Sequence, residues 1–465
     1  MSNPARPPSV SPEDWAATPA SVRAWLSELT QQLQHLQERT QDLEHRLNQN
    51  STNSSQPPAR DRHAQRSKPL RRRHRGAKAG HVKMERAWVA QPDQVIAASL
   101  TQCTHCQADL RAVSPTRILR RQLTELPPIR PLVIETQQAE GRCPHCQRLQ
   151  RAALPVGWEA QRRFGPRLEA TVVYLQHQQH LSYARTAQCL SDLLGVALSE
   201  GGQAAILQRA GAAAEPLAQT IRQRVQQSAV VGCDETGARV DGRVWWQWVF
   251  ATREAIYHRI RRSRGIEVIQ AVMAPAQVEV WVSDCWKPQF RAPAQRFQIC
   301  LVHQIRNLQC LIERCPRLPW ARAMQRLFRK AIHLAKRRSA LTEPAYARQV
   351  TIIENRLEQL LQKRPHRLAA RALFRRYVTH RDKLLTFLHD ERVPFHNNAC
   401  ERALRPAVIH RKVIGGFRSQ WGAETYAALA SVIDTAKLQG RHVFDTLVAL
   451  MGPPVLPQFS APARE

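Results

Sequence analysis

Two aspartates each stand where a short apolar run ends. Asp234 closes "SAVVGCD" and Asp284 closes "VEVWVSD", and both runs have the composition of buried strands. Carboxylates at the ends of neighbouring strands repel each other unless a divalent cation lies between them. Mg²⁺ prefers such hard oxygen ligands and takes others from water and phosphate. Both residues are therefore candidate ligands of Mg²⁺, or of Mn²⁺.

A third acid, Glu401, lies in "FHNNACERALRP", which predicts a helix. The spacing places Asn397, Glu401 and Arg405 on one helix face. Asn397 and Asn398 either cap this helix or orient a metal-bound water, and Arg405 either orients Glu401 or contacts phosphate. Taken alone, the stretch is more typical of an exposed Glu–Arg pair. With both aspartates, however, Glu401 would complete a site for two cations about 3.5–4 Å apart.

Residues 226–440 have the order of elements of an α/β domain. Three strand-like segments, one helix-like segment and two further strand-like segments follow one another: "SAVVGCDETGARV", "RVWWQWVFAT", "AIYHRIRRS", "GIEVIQAVMAP", "VEVWVSDCW" and "RFQICLV". This order resembles a ribonuclease H-like domain, in which the first and fourth strands are central neighbours. Asp234 and Asp284 are then expected side by side. Residues from about 316 to 392 predict a basic helical insertion, for DNA contact or for packing alone.

Two Cys-x-x-Cys motifs lie within residues 95–152. Cys103 and Cys106 form the first, and Cys143 and Cys146 form the second. Two such pairs can present four thiolates to one structural Zn²⁺, and the segment between them predicts a strand–turn–strand hairpin, as in a zinc ribbon. Redox or idle thiols are the alternative. His105 and His145, inside the motifs, could replace a thiolate.

Residues 20–48 predict a helix with a leucine heptad. Thr40 interrupts the repeat, which is formed by Leu26, Leu29, Leu33, Leu36, Leu43 and Leu47. Four heptads favour self-association through a coiled coil, hence a homo-oligomer, over a lone surface helix.

Two basic or helical regions follow the heptad. Residues 49–88 are polar and Pro-rich and predict a disordered linker. Residues 160–225 predict helices, with a turn at Gly195 and a new helix near Ser199; the pattern fits a DNA-binding helix-turn-helix or any helical hairpin. The linker carries an arginine cluster that fits phosphate contact or a solubilising role: Arg71, Arg72, Arg73 and Arg75.

The overall charge indicates the class of partner that this protein binds. The 465 residues carry a formal net charge of +32 and an isoelectric point near 11.0, which indicates a polyanion such as DNA. No stretch approaches the roughly 18 apolar residues of a membrane span, and Met1 to Asp14 lacks a signal-peptide core. A multidomain α+β protein is expected in the cytoplasm, associated with the nucleoid, with residues 441–465 as a tail.

Several stretches resemble the insertion sequence 66 family of DDE transposases: "GCDETGARVDGRVWWQWVFAT", "WVSDCW", "HNNACERALRPAVIHRK" and "ASVIDTAKLQG". The order of coiled coil, basic linker and four-cysteine module also matches. The resemblance implies that Asp234, Asp284 and Glu401 form a catalytic triad holding two Mg²⁺. It implies cleavage at element ends and strand transfer into target DNA, with accessory proteins of the same element as partners.

The same resemblance suggests supporting residues. His303 in "CLVHQIRNL" matches a family histidine and either faces the site or packs in the core. The helix and the residues after it carry candidate DNA contacts, which as a charge run also fit a solvated face: Arg402, Arg405, Arg411 and Lys412.

Some features depart from the family pattern. His396 stands where an acid is expected, and a cysteine adjoins each acid, namely Cys233, Cys285 and Cys400. Two rival functions therefore stay open. One is an inactive DNA-binding remnant or regulator, and the other is a ribonuclease H-like nuclease or resolvase that cuts without joining.

Overall fold

The computed structural model describes residues 11–47, 49, 86–155, 158 and 163–452. The arginine cluster of the linker lies outside these residues. The described part opens with α1 (Pro12–Ala17) and α2 (Ala20–Leu47), and α2 confirms the predicted helix. Thr40 Oγ1 donates to Leu36 O at 2.9 Å, so this polar residue bonds within its own helix. The heptad leucines at five positions are exposed: Leu29, Leu33, Leu36, Leu43 and Leu47.

The Cys-x-x-Cys segment forms small hairpins at the motifs rather than between them. Strands β1 (Glu140–Arg142) and β2 (Leu149–Arg151) pair antiparallel around the second motif. An isolated bridge between Gln102 and Asp109 flanks the first. The predicted hairpin between the motifs is wrong, because residues 110–139 contain no strand. This stretch includes "LPPIRP", whose prolines lack the N–H that a strand ladder requires.

The helical region then follows: α3 (Pro166–His177), α4 (Tyr183–Leu194) and α5 (Glu200–Gln226). The turn predicted at Gly195 is confirmed, since Gly195 ends α4 with φ 63°, a conformation that favours glycine. Ser199 begins α5 as expected of an N-cap, and its Oγ accepts the N–H of Gly202 at 3.1 Å.

A five-stranded sheet forms the centre of the α/β region. Its elements are β3 (Val230–Val240), β4 (Arg243–Ala251), β5 (Ile256–Arg261), α6 (Ile266–Met273), β6 (Val278–Ser283) and β7 (Ala294–Ile299). The strand order is β5-β4-β3-β6-β7. β3 pairs antiparallel with β4 and parallel with β6. The predicted neighbourhood of the first and fourth strands is therefore confirmed.

Helices cover both faces of this sheet. Trp281 of β6 packs in a core with α3, α5 and other helices. Val280 and Val282, which alternate with it, pack in a second core with the insertion helices. The predicted helical insertion is confirmed, and it is preceded by a helix that begins directly after β7. These elements are α7 (Leu301–Arg314), α8 (Pro319–Lys336), α9 (Glu343–Gln362), α10 (Leu368–Thr379) and α11 (Thr386–His389).

Three final helices return to the sheet: α12 (Asn398–Ile414), α13 (Gln420–Leu438) and α14 (Val443–Leu450). The predicted tail, residues 441–465, includes α14, whose Leu447 is fully buried in the core beside α3. Its eight residues are too short for a clear helical period. Among the described residues, no helix is both long and apolar enough to cross a bilayer.

The stretch "ASVIDTAKLQG" lies on α13 and covers the edge of β5. Ser431 Oγ accepts the N–H of His258 at 2.8 Å, and Thr435 Oγ1 accepts the N–H of Ile256 at 3.0 Å. Asp434 Oδ2 lies 3.0 Å from Nε2 of His258. Edge strands present unpaired N–H groups, so this segment completes the sheet with side chains.

Candidate active site

The strand register brings Asp234 and Asp284 to the same edge of the sheet. Gly232 of β3 pairs with Val282 of β6. Asp234 is two residues beyond Gly232, and Asp284 is two residues beyond Val282, so both follow the last parallel pair. Each holds one oxygen on the backbone: Asp234 Oδ1 accepts the N–H of Glu235, and Asp284 Oδ1 accepts the N–H of Trp286, both at 2.9 Å.

Asn397 fixes the start of α12 and lies four residues before Glu401. Its side-chain Nδ2 donates to Cys233 O at 2.8 Å, and its backbone N–H donates to Cys300 Sγ at 3.3 Å. Asn397 occupies the N-cap position, but its side chain makes no capping bond. Asn397 therefore joins the helix to β3 instead of capping it. Neighbouring Asn398 is the first helical residue and is half-buried.

The close approach of α12 to β3 depends on a glycine. A Cβ on Gly232 would lie 3.1 Å from Cys400 Sγ and 3.2 Å from Asn397 Oδ1. Cys400 and Cys233 are buried, and burial raises the pKa of both thiols well above the usual range. These two cysteines therefore pack as neutral groups in the buried cores of this structure.

The pKa of Asp234 is affected by burial and by the other acids near it. Burial raises the pKa of Asp234 well above its usual range, and the charges of Asp284, Glu235 and Glu401 raise it further. The fold thus groups negative charge around Asp234. A divalent cation would relieve this repulsion.

Glu235 is held away from solvent by a separate set of contacts. Its side chain is 2% exposed, and it accepts from Arg264 Nε at 2.9 Å and from Gln289 Nε2 at 3.0 Å. The Arg264 guanidinium lies between two indole rings, 4.5 Å from the centroid of Trp246 and 4.1 Å from that of Trp286. Glu235 is thus held by Arg264 and Gln289, whereas backbone N–H groups hold the two aspartates.

His303 on α7 faces Glu401, which answers the alternatives left by the sequence. His303 Nε2 lies 3.7 Å from Glu401 Oε1, and the two side chains are 15% and 27% exposed. Burial lowers the pKa of His303, against the opposing effect of the Glu401 charge. Among the described residues, Nδ1 of His303 and Oε1 of Glu401 are buried without a hydrogen-bond partner.

The structure brings one ligand set into mutual contact range. Ligand atoms of Cys300, His303 and Glu401 all lie within 4.8 Å of one another. In the described part of the chain, the ligand atoms of Asp234, Asp284 and Glu401 do not all lie within 4.8 Å of one another. The sulfur atoms of the four motif cysteines do not do so either. Two cations about 3.5–4 Å apart do not require all three carboxylates to touch.

The two Cys-x-x-Cys motifs have the same geometry although the structure does not join them. Gln107 N–H donates to Cys103 O, and Gln147 N–H donates to Cys143 O, each at 2.9 Å. The two glutamines have φ values of 60° and 58°. Hydrogen bonds from backbone N–H groups lower the pKa of Cys103 and Cys143. The largest effect comes from the N–H of the second cysteine of each motif. Both turns thus favour thiolates, the form that binds metal.

The predicted basic contacts on α12 divide into two groups. Arg402, Arg405 and Lys412 are exposed. Arg411 is half-buried, and its Nη1 donates to Gly237 O of β3. Arg411 therefore attaches the helix to the sheet, whereas the other three present charge to solvent. Asn397 is buried and Arg405 is exposed, so the helix face that they share becomes more exposed to solvent along α12.

Sequence reasoning missed Cys300, Arg264 and Gln289. Cys300 follows β7 as Asp284 follows β6, and this parallel position after a strand was the available signal. Arg264 and Gln289 lie in connecting segments without periodicity, so only the folded chain shows that they meet Glu235.

Comparison with known protein families gives two matches along the chain. Residues 161–425 match the model of the Transposase IS66 family. Residues 5–87 match a second model, described as a family of unknown function (DUF6444). A 70-residue stretch is 37% identical to "Uncharacterized protein y4qI" of Sinorhizobium fredii, covering 15% of this chain and 13% of that protein. Because the first match spans more than half of the sequence, the chain belongs to the IS66 family of transposases.

Proposed function

We propose that this chain cleaves DNA at the ends of an insertion element and joins the freed ends to target DNA. The reaction is Mg²⁺-dependent phosphoryl transfer, and the sheet belongs to a ribonuclease H-like domain. The observation that carries the proposal is the convergence of Asp234, Asp284 and Glu401 from two adjacent strands and a packed helix.

The residues present fit a hard divalent cation. Glu401 Oε1 is buried without a hydrogen-bond partner among the described residues, and burial together with neighbouring carboxylates raises the pKa of Asp234. Asp234, Asp284 and Glu401 would hold two Mg²⁺ (or Mn²⁺), which when bound supply Lewis-acid stabilisation of the phosphoryl oxygens. The protein itself orients the acids: the N–H groups of Glu235 and Trp286 hold the aspartates, and Asn397 holds the glutamate helix.

DNA is the substrate that the charge and the exposed groups favour. Exposed Arg402 and Arg405 lie on the helix that carries Glu401, so phosphates bound there would be close to the acids. The helical region α3–α5 and the arginine-rich linker are proposed as further DNA contacts. Self-association through α2 and accessory proteins of the same element complete the proposed assembly.

The test is metal-dependent cleavage and joining of element-end DNA by the Asp234→Asn variant. We expect cleavage to fall by at least about 10³-fold, while DNA binding is retained because the charge pattern outside the site is unchanged. Asp241→Asn is the matched control, since Asp241 is an exposed acid in the β3–β4 turn and should retain full activity.

Three results would contradict this proposal in different ways. Unchanged cleavage by Asp234→Asn would remove the acid from the mechanism. DNA binding by the unaltered protein without cleavage would favour a non-catalytic DNA-binding protein. Cleavage without joining would favour a nuclease or resolvase.

We also propose that Cys103, Cys106, Cys143 and Cys146 bind one structural Zn²⁺. The matching turns and the lowered pKa values of Cys103 and Cys143 support this assignment. Freshly purified, reduced protein should contain about one zinc per chain by elemental analysis, the stoichiometry of a four-thiolate site. A zinc content well below one per chain would contradict the assignment.

A further inference from the structure

A second ligand set shares Glu401 with the proposed Mg²⁺ site. It consists of a thiol, an imidazole and a carboxylate, from Cys300, His303 and Glu401, with ligand atoms within 4.8 Å of one another. Sulfur, nitrogen and oxygen together are the ligand types of zinc-like cations, whereas Mg²⁺ binds oxygen. The two sets therefore differ in the metal that they select.

The strand register explains how Cys300 reaches the acids. Ile299 of β7 pairs with Ser283 of β6, so the next residues along the two strands, Cys300 and Asp284, occupy equivalent positions. The Cys300 N–H donates to Ser283 O at 2.8 Å. The thiol thus stands at the same sheet edge as the aspartates, one strand further out.

The backbone around Cys300 holds its sulfur in place. Sγ accepts the N–H of Asn397 at 3.3 Å, and Cys300 is the N-cap residue of α7. His303 lies in the first turn of that helix, and Glu401 lies in the first turn of α12. The three ligands therefore lie at the amino-terminal ends of two helices. Two hydrogen bonds join these ends, one from Asn397 to Cys300 Sγ and one from the Leu301 N–H to Phe395 O at 2.9 Å.

Two of the three ligands carry buried atoms that lack a hydrogen-bond partner in the described part of the chain. These atoms are Nδ1 of His303 and Oε1 of Glu401. Leaving a buried polar atom unpaired is unfavourable, so a cation bound at Glu401 Oε1 would satisfy an atom that lacks a hydrogen bond. Cys300 is fully buried, but the 27% exposure of the Glu401 side chain gives the cluster an opening to solvent.

We propose that Cys300, His303 and Glu401 bind one thiophilic divalent cation of the Zn²⁺ class, and that this cation inhibits the enzyme. On binding, the Cys300 thiol loses its proton to solvent and the thiolate becomes a ligand. Inhibition follows because a Glu401 carboxylate bound to this cation is not free to bind Mg²⁺ together with Asp234 and Asp284. The inhibitory consequence rests on the proposed function, whereas the binding site itself does not.

Cation binding is tested by titrating the full-length protein with Cd²⁺ and following sulfur-to-cadmium absorption in the ultraviolet. We expect Cys300→Ser to bind one equivalent of Cd²⁺ fewer than the unaltered protein. Cys310→Ser is the matched control, because Cys310 lies on the same helix outside the cluster and its loss should leave the stoichiometry unchanged. Equal stoichiometry for all three proteins would overturn the site.

Inhibition is tested by adding Zn²⁺ to Mg²⁺-dependent DNA cleavage. We expect Cys300→Ser to need at least about tenfold more Zn²⁺ for half-inhibition than the unaltered protein or Cys310→Ser. Equal sensitivity would overturn the inhibitory role. If no protein cleaves DNA, the proposed function fails, and the Cd²⁺ stoichiometry still decides the site. If Cys300→Ser does not fold, Cys300→Ala replaces it in both measurements.

Discussion

Asn397 illustrates how one side chain determines the position of a candidate catalytic acid. It is 3% exposed and donates to Cys233 O, next to Asp234 in β3. Through this bond the first turn of α12, which includes Glu401, is attached to the strand that carries Asp234. An amide fits this role because its NH₂ group donates, which a carboxylate cannot do.

Replacing Asn397 by Ala should weaken cation binding at the triad. The change leaves the buried Cys233 carbonyl without its donor, at a cost of about 1–3 kcal/mol, and frees the start of α12 to shift Glu401. We expect a higher Mg²⁺ concentration for half-maximal cleavage and unchanged DNA affinity. The measurement is the Mg²⁺ dependence of cleavage, with Asn398→Ala as the neighbouring control. The same Mg²⁺ dependence in all three proteins would contradict this role.

Glu235 shows that adjacent acids on one strand have different roles. Burial and the charge of Asp284 raise the pKa of Glu235, and the guanidinium of Arg264 opposes that rise. Arg264 is itself stacked between Trp246 and Trp286. Because Trp286 also donates its backbone N–H to Asp284, this stack connects Glu235 with Asp284.

At the scale of elements, α12 connects the candidate site with a buried group of histidines. Glu401 lies in its first turn, and His410 lies near its other end. The His410 ring stacks on Phe417 with centroids 5.0 Å apart, and His177 of α3 stacks on Tyr426 of α13 at the same distance. The His410 ring also lies 4.6 Å from that of Tyr426, so aromatic contacts join α12 to α13 and, through Tyr426, to α3.

These histidines predict loss of stability in mild acid. Burial lowers the pKa of His410 to about 4 and that of His177 to about 3, whereas an unfolded histidine titrates near 6.5. Between pH 6.5 and about 4 the unfolded chain binds more protons, so the free energy of unfolding must fall as pH falls. The upper limit is about 3 kcal/mol per histidine. Urea unfolding at several pH values measures this slope.

The variant His410→Phe isolates one contribution to that slope. Phenylalanine retains an aromatic ring for stacking but takes up no proton, so the loss of stability between pH 6.5 and 4 should be smaller. His333→Gln is the control, because His333 is exposed on α8 and its replacement should leave the slope unchanged. A slope for His410→Phe equal to that of the unaltered protein would contradict the role of His410.

At the scale of the whole molecule, the exposed leucines of α2 form the surface through which the proposed self-association would occur. Leu33, Leu36 and Leu47 are 53–56% exposed, and a leucine stripe of this length in water is typical of a coiled-coil surface. The Thr40 side chain bonds its own helix and so interrupts the stripe without an unpaired hydroxyl.

Charged residues in this stripe should break the oligomer. Leu33→Asp with Leu36→Asp places two carboxylates where a partner helix would pack, and we expect a smaller mass in solution with an unchanged fold. Light scattering after gel filtration measures the mass. Glu28→Asp, an exposed change in the same helix, is the control. An identical mass for both variants and the unaltered protein would show that α2 does not mediate assembly.

The sequence by itself determined the elements and the candidate acids. Apolar runs with tight turns predicted the strands, and the acids after two of those runs were visible without a structure. The strand–turn–strand segment between the cysteine motifs was predicted wrongly, because its prolines outweighed its apolar residues. The short helix α14 was missed because eight residues carry too little periodicity.

Only the tertiary structure decided which side chains meet. The pairing of β3 with β6 and of β6 with β7 brings Asp234, Asp284 and Cys300 to one edge, and the Asn397 bond adds Glu401 from the far end of the insertion. These contacts join residues far apart in the chain, and packing between elements creates them. Local propensity acts over a few residues, so it cannot specify contacts at this distance.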